Sequence, residues 1–209
     1  MDLGIDFNYL TGKKVLEIGA GKAIIAKAAK KKGIEGIVSL DAYSEVEEEL
    51  KNLGLPFVRA YTEELPFPDE TFDLVLSHAG PPIISSSKEK VKKVIFEVKR
   101  ILKEGGEFRF GPGSLNANIF TQEELFTPEE YKSFTQKQRI ERIKQKSIEF
   151  LKSIDPNIDQ KETKLGHHFQ IFYILKKRRM LKNKNFLLIK ISLIFQLIFL
   201  FLHRLALFF

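Results

Sequence analysis

The stretch VLEIGAGKA, residues 15–23, decides the fold of this chain of 209 residues. Its apolar run VLEI contains one acid, Glu17, and stops at Gly19. An apolar run that ends at a glycine predicts a buried parallel strand entering a tight turn. The next stretch, KAIIAKAAKKKG over residues 22–33, has helical spacing and closes on Gly33 just past the helix C-cap. Strand, glycine turn and helix together predict the opening unit of a nucleotide-binding βαβ fold.

The two glycines of this turn, Gly19 and Gly21, are suited to a ligand. Because they lack a Cβ, the backbone can pass close to a bound molecule. The N-terminus of the following helix offers unpaired N–H groups to a polar ligand. An isolated GxG is more often a plain turn between a strand and a helix, so the assignment depends on the stretches that follow.

The stretch GIVSLD, residues 36–41, predicts a second strand that ends in an acid. Asp41 lies 22 residues after Gly19, at the tip of this strand, where a carboxylate accepts hydrogen bonds from ribose hydroxyls. The alternative interpretation is that Asp41 caps a helix or lies in a solvated loop.

Three motifs occur in a fixed order along the chain: VLEIGAG at 15–21, LPFPDETFDLV at 65–75 and EVKRILKEGGEFRF at 97–110. Together they resemble the class I S-adenosylmethionine-dependent methyltransferases, in the broad group that acts on small molecules. The resemblance covers about residues 12–177. It implies an α/β fold, a doubly wound, mostly parallel seven-stranded sheet of the Rossmann-like methyltransferase type. It also implies a C-terminal antiparallel hairpin.

The resemblance implies a role for ten residues, all near the predicted carboxyl ends of strands, where ligands of such sheets bind. Those around the methionine part of S-adenosylmethionine are Glu17, Gly19, Ala20 and Gly21. Those at the ribose and adenine are Asp41, Ala42, Thr62 and Glu63, and those facing the sulfonium and the substrate are Ser77 and His78. Tyr61 departs from the pattern, because many relatives have there an acid that binds the adenine amino group.

His78 is the candidate catalytic residue, since its pKa range suits a general base. The competing interpretation is a polar residue at the end of a strand. The neighbouring Gly80, Pro81 and Pro82 predict a turn, because they are out of register with the Asn/Asp-Pro-Pro motif of enzymes that methylate nucleic acids. No metal site is predicted.

The remaining elements alternate up to residue 177. Predicted helices cover residues 44–54, 85–106 and 128–154, and predicted strands cover residues 56–61, 71–77 and 106–110. Residues 115–127 are predicted to serve as a lid over the site. Two final strands, residues 157–164 and 167–177, are predicted to close the sheet as a hairpin, which completes a methyltransferase domain over residues 1–177.

The charge of the chain is divided unevenly. All 27 acidic residues lie at or before Glu162, whereas eight of the 34 lysines and arginines lie from Lys176 onward. The net charge of +7 therefore comes from the tail, and the rest of the chain is close to neutral. This division removes most of the argument for a nucleic-acid partner, and none is predicted. The chain has no cysteine, which excludes a disulfide framework, and its first residues lack the pattern of a signal peptide.

The tail, residues 178–209, combines a basic run with an apolar segment. Of the 24 residues from 186 to 209, 19 are apolar, and a helix of this length spans about 36 Å, enough for a membrane. The basic run predicts a cytoplasmic domain held at the inner face of a membrane by a transmembrane helix. The alternatives are a read-through tail or an apolar segment that contacts a partner.

The sequence thus predicts an enzyme that transfers a methyl group from S-adenosylmethionine to a small molecule. Two alternatives remain. One is a non-catalytic, membrane-tethered module that binds S-adenosylmethionine, which Tyr61 and the short N-terminal segment favour. The other is a nicotinamide-dependent oxidoreductase, which is disfavoured because Ile24 occupies the third glycine position and no Tyr-x-x-x-Lys pair follows the fourth strand. The sequence does not indicate an acceptor or an oligomeric state.

Overall fold

A seven-stranded sheet forms the centre of the protein in a computed structural model, which describes residues 3–165 and 168–178. The strands are β1 Val15–Ile18, β2 Ile37–Leu40, β3 Phe57–Val58, β4 Phe72–His78, β5 Leu102–Gly111, β6 Ile158–Leu165 and β7 His168–Lys176. The helices are α1 Ile24–Lys31, α2 Glu47–Asn52, α3 Lys88–Ile101, α4 Gln122–Leu125, α5 Pro128–Ser133 and α6 Gln136–Ile154. Two single turns of 3₁₀ helix cover Phe7–Leu10 and Ala117–Ile119.

The strand order is β3-β2-β1-β4-β5-β7-β6. The first five strands are parallel, and β7 runs antiparallel to both β5 and β6. The predicted doubly wound sheet with a C-terminal hairpin is therefore confirmed. Because β1 lies between β2 and β4, the order of the strands reverses at β1, and a crevice is expected outside the carboxyl ends there.

Apolar side chains cover both faces of the sheet. On one face α3 places Val91, Val94, Ile95 and Val98 against the strands, and all four are fully buried. On the other face α1 packs beside Leu3 and Leu10 of the N-terminal segment. Strand β4 is buried on both faces, which explains its continuous apolar run.

Several predicted boundaries are wrong, because side-chain caps and strand pairing decide them. The predicted helix over 85–106 begins after Ser87, whose hydroxyl accepts from the Lys90 N–H, and ends at Ile101. Leu102 is already extended and pairs with Phe72, so the two glycines that follow lie inside β5 instead of ending the helix.

The predicted helix over 128–154 is two helices. Phe134 and Thr135 between them are extended, and Thr135 starts α6 with a capping box to Gln138. The predicted third strand shrinks from residues 56–61 to two residues, because β3 is an edge strand that pairs only with Ser39 and Leu40.

The predicted apolar C-terminal helix and transmembrane segment, residues 186–209, lie outside the described residues. Within residues 3–165 and 168–178, no helix combines the length and apolar character needed to cross a membrane.

Candidate functional site

The turn after β1 has the conformation that its glycines predict. Gly19 and Gly21 have φ angles of +59° and +50°, and Ala23 follows at +50°. A Cβ on Gly19 would lie 2.6 Å from Pro81 Cδ and 3.2 Å from Gly80 Cα, whereas a Cβ on Gly21 would meet no atom within 4 Å. Gly19 is therefore required both by its backbone angle and by the close approach of the loop that follows β4.

Asp41 joins the loops that follow β1 and β2. Its Oδ2 accepts from the Gly21 N–H at 2.9 Å, and its Oδ1 accepts from the N–H groups of Tyr43 at 2.8 Å and Ser44 at 2.9 Å. The Ser44 hydroxyl in turn donates to the Gly21 carbonyl at 2.6 Å. The carboxylate thus organises its own loop, and the role of Asp41 at ribose hydroxyls stays a prediction.

A cavity of about 250 Å³ opens at the carboxyl ends of β1 to β4. Five of the ten predicted binding residues line it, namely Gly19, Asp41, Ala42, Thr62 and Glu63. The structure thus brings together predicted residues from three loops, those that follow β1, β2 and β3.

The other five predicted residues, Glu17, Ala20, Gly21, Ser77 and His78, do not line this cavity, and their predicted roles stay predictions. Ser77 is fully buried, and its Oγ has no hydrogen-bond partner within the described part of the chain. His78 is exposed at the last position of β4, opposite Gly111 of β5.

Glu17 lies beneath the turn and is only 4% exposed. Its Oε2 accepts from the Ala26 N–H and from the Ser39 hydroxyl, both at 3.3 Å. Burial raises the pKa of Glu17 to about 7, against the opposing effect of these hydrogen bonds and of nearby His78. The carboxyl group is therefore poised to gain or lose a proton near neutral pH.

Two tyrosines stand at the cavity, of which Tyr43 was missed at the sequence level. The rings of Tyr43 and Tyr61 meet edge to face with their centroids 5.7 Å apart, and they are 78% and 58% exposed. The Tyr61 hydroxyl raises the pKa of Tyr43, and the charges of Glu63 and Asp41 add to the effect. The aromatic pair therefore lies among the carboxylates of the site.

The segment between β4 and α3 supplies the opposite wall, and it too was missed. Its lining residues are Ala79, Gly80, Pro81, Ile84, Ser85, Ser86 and Lys90, and Ala60 contributes from the end of β3. Only the position of this segment in the sequence could have indicated that it lines the cavity. It follows a parallel strand and therefore begins at the edge of the sheet where ligands bind.

The site suits a nucleoside-containing cofactor. Gly19 and Asp41 line the cavity, where Asp41 offers a carboxylate to hydroxyl groups, and the two tyrosines offer apolar ring surface. Among residues 3–165 and 168–178, no three side chains are grouped so as to hold a metal ion.

Comparison with known proteins finds a family whose model matches part of the chain. Residues 16–110 match the methyltransferase domain family. This match and the sheet order confirm the predicted resemblance to class I S-adenosylmethionine-dependent methyltransferases, and S-adenosylmethionine is the cofactor that the family indicates.

Two curated relatives and one solved structure illustrate the similarity. A ubiquinone/menaquinone biosynthesis C-methyltransferase (UbiE) of Stenotrophomonas maltophilia is 34% identical over 47% of this chain and 41% of its own length. A probable phthiotriol/phenolphthiotriol dimycocerosates methyltransferase of Mycobacterium ulcerans is 28% identical over 78% of this chain and 61% of its own. The chain thus spans less than two thirds of these relatives. The crystal structure of a putative S-adenosylmethionine-dependent methyltransferase from Methanococcus maripaludis shares the fold, with a TM-score of 0.53, 22% identity and coverage of 82% and 80% of the two chains.

Proposed function

We propose that this chain is a class I S-adenosylmethionine-dependent methyltransferase that acts on a small-molecule acceptor, because residues 16–110 match the methyltransferase domain family. The observation that carries the proposal is the cavity at the carboxyl ends of β1 to β4, where the glycine turn and Asp41 converge. S-adenosylmethionine, when bound, supplies an electrophilic methyl group on a sulfonium.

The chain's own residues would bind and orient the reactants. The space beside the Gly21 backbone is open, since an added Cβ would meet no atom within 4 Å, and Asp41 would accept hydrogen bonds from hydroxyl groups of the cofactor. Thr62 and Glu63 border the cavity from the end of β3. Most of the rate advantage in such a site comes from orientation and from exclusion of water.

Ser77 and His78 are proposed to face the acceptor, because they end the central strand β4 beside the cavity wall. The buried Ser77 hydroxyl offers a hydrogen bond that no described residue takes up. His78 would act as a general base only toward an acceptor that must lose a proton early in the reaction.

The acceptor we propose to test first is apolar. The names of the two relatives describe methylation in quinone biosynthesis and of phthiotriol dimycocerosates. In this chain Ile84 lines the cavity and is 59% exposed, which supports contact with an apolar group. The proposed location is the cytoplasmic face of a membrane, with residues 186–209 as the anchor, on the grounds of their composition.

The test begins with isothermal titration of the full-length protein with S-adenosylhomocysteine. Micromolar binding that Gly19→Val abolishes, in a variant that still folds, would support the assignment of the site. Transfer of a radiolabelled methyl group to quinone precursors or to cell extract then tests catalysis. Binding without transfer to any fraction would favour the non-catalytic module, and absence of binding would contradict the proposed cofactor.

A further inference from the structure

A cluster of lysines lies at the amino ends of the parallel strands, the edge of the sheet opposite the cavity. Helix α1 ends at this edge, because it joins two parallel strands, β1 and β2. The cluster, called the basic edge below, consists of the two residues before β1 and the last residues of α1 with its C-cap, namely Lys13, Lys14, Lys30, Lys31 and Lys32. Within the described residues, no ion pair joins any of the five to an acid.

Two neighbouring grooves connect the members of the basic edge. Lys13 and Lys14 line one groove together with the turn of residues 33–36, and Lys30 lines a second groove with part of the same turn. A helix C-terminus attracts cations, which accounts for lysines in the last turn of α1 but not for the two that precede β1. Glu35 lies in both grooves and offsets only part of the charge. The basic edge is therefore a local positive surface on a domain whose total charge is close to neutral.

Apolar side chains stand among these lysines. The ammonium group of Lys13 lies 4.0 Å from the centroid of the Tyr9 ring. That of Lys32 lies 5.5 Å from the centroid of the Phe7 ring, and both rings are partly exposed. Leu53 is 40% exposed, and its carbonyl oxygen accepts a hydrogen bond from a lysine of α1. Lysines mixed with aromatic and aliphatic groups are typical of surfaces that meet lipid headgroups, whereas a nucleic acid offers phosphates without an apolar layer.

We propose that the basic edge is a docking surface for anionic lipid headgroups. The ammonium groups contact the headgroups, and Phe7, Tyr9 and Leu53 enter the interfacial layer. Each lysine near an anionic surface strengthens binding about fivefold, and salt screens the attraction. This contact adds to the proposed membrane anchor without replacing it, since stable attachment takes two signals. The inference therefore rests on the location given under the proposed function.

The first experiment places full-length protein on vesicles of phosphatidylcholine alone and on vesicles with about a third phosphatidylserine. Acetylation of exposed lysines, measured by mass spectrometry, reports which surface the lipid covers, whether or not the tail is inserted. We expect Lys31 and Lys32 to react at least about threefold more slowly on the anionic vesicles, and high salt should remove this protection. Lys92 and Lys93, exposed on α3, should react equally on both.

A triple variant then measures the strength of the contact. The variant Lys14→Gln/Lys31→Gln/Lys32→Gln should lower the ratio of binding to anionic over neutral vesicles by about 100-fold, at about fivefold for each lysine. The matched control, Lys92→Gln/Lys93→Gln/Lys137→Gln, removes as many charges from exposed positions outside the basic edge and should change this ratio less than about threefold. Neither variant should alter binding of S-adenosylhomocysteine, because none of these residues lines the cavity.

The outcomes separate this inference from the proposals on which it depends. Equal acetylation of Lys31 and Lys32 on both kinds of vesicle, with the protein bound to each, would overturn the docking surface and leave the proposed anchor standing. Protein that binds neither vesicle would contradict the proposed location and this inference together, whereas the proposed enzyme is tested separately by cofactor binding and methyl transfer. Tighter binding of the parent to random-sequence RNA than to anionic vesicles, lost in the triple variant, would assign the basic edge to nucleic acid and overturn the inference.

Discussion

Variants of Gly19 and Gly21 can be compared to separate the cost of backbone strain in the turn from the cost of steric overlap with the loop after β4. Both adopt left-handed backbone angles, +59° and +50°. Only at Gly19 would an added Cβ collide with other atoms, 2.6 Å from Pro81 Cδ and 3.2 Å from Gly80 Cα. Substituting each glycine by alanine therefore imposes a similar backbone cost but different packing costs.

The expected free energies follow from these distances. A left-handed angle costs a residue with a Cβ about 1–2 kcal/mol, and the stiffer unfolded chain returns about 0.4–1 kcal/mol. Gly21→Ala should therefore lower the free energy of unfolding by about 1 kcal/mol. Gly19→Ala must also move Pro81, which adds about 1–3 kcal/mol, the cost typical of overpacking. Because Pro81 and Gly80 line the cavity, this movement should also lower cofactor affinity.

The assay combines urea unfolding of both variants with titration of S-adenosylhomocysteine. We expect Gly19→Ala to lose at least about tenfold in affinity, which corresponds to about 1.4 kcal/mol, and Gly21→Ala to lose less than about threefold. Equal stability and equal affinity of the two variants would refute the argument from packing. A selective loss of affinity in Gly21→Ala would instead support direct contact between Gly21 and the cofactor.

Three further predictions concern the pH dependence of stability, the contribution of Asp41 to cofactor binding, and the tail. Folding raises the pKa of Glu17 from 4.5 to about 7, so the folded protein favours the protonated carboxyl group. The stability that this group contributes is fully present below pH 4.5 and is lost as the pH rises through 7. The unfolding free energy of Glu17→Gln relative to the parent should therefore rise by about 3 kcal/mol between pH 4.5 and 8, and a difference independent of pH would contradict the shift. Asp41→Ala should weaken S-adenosylhomocysteine binding by about 1.5–3 kcal/mol in calorimetry, the range for hydrogen bonds to a charged group; unchanged affinity would remove Asp41 from the site. Deletion of residues 179–209 should leave that affinity unchanged, because every residue that lines the cavity precedes Val91, and should release the protein from the membrane fraction. Full-length protein that stays in solution without detergent would contradict the membrane anchor.

The elements predicted correctly are those whose cause is local. The end of α1 at Gly33 was predicted from residue type, and Gly33 adopts φ +71° there, with the Ile34 N–H donating to the Ala29 carbonyl. Strand β4 was predicted from a continuous apolar run, which its burial on both faces requires. The start of α6 at Thr135 was also encoded locally, as a threonine three residues before Gln138, but helical periodicity through the break obscured it.

The elements that were missed depend on contacts distant in the sequence. The helix that ends at Ile101 stops there because Leu102 pairs with Phe72, and no local pattern specifies that pairing. Likewise, the approach of Pro81 to Gly19 and of Lys90 to Glu63 depends on how the β4 loop folds back over the sheet. Motifs therefore predicted one wall of the cavity, and the opposite wall required the tertiary structure.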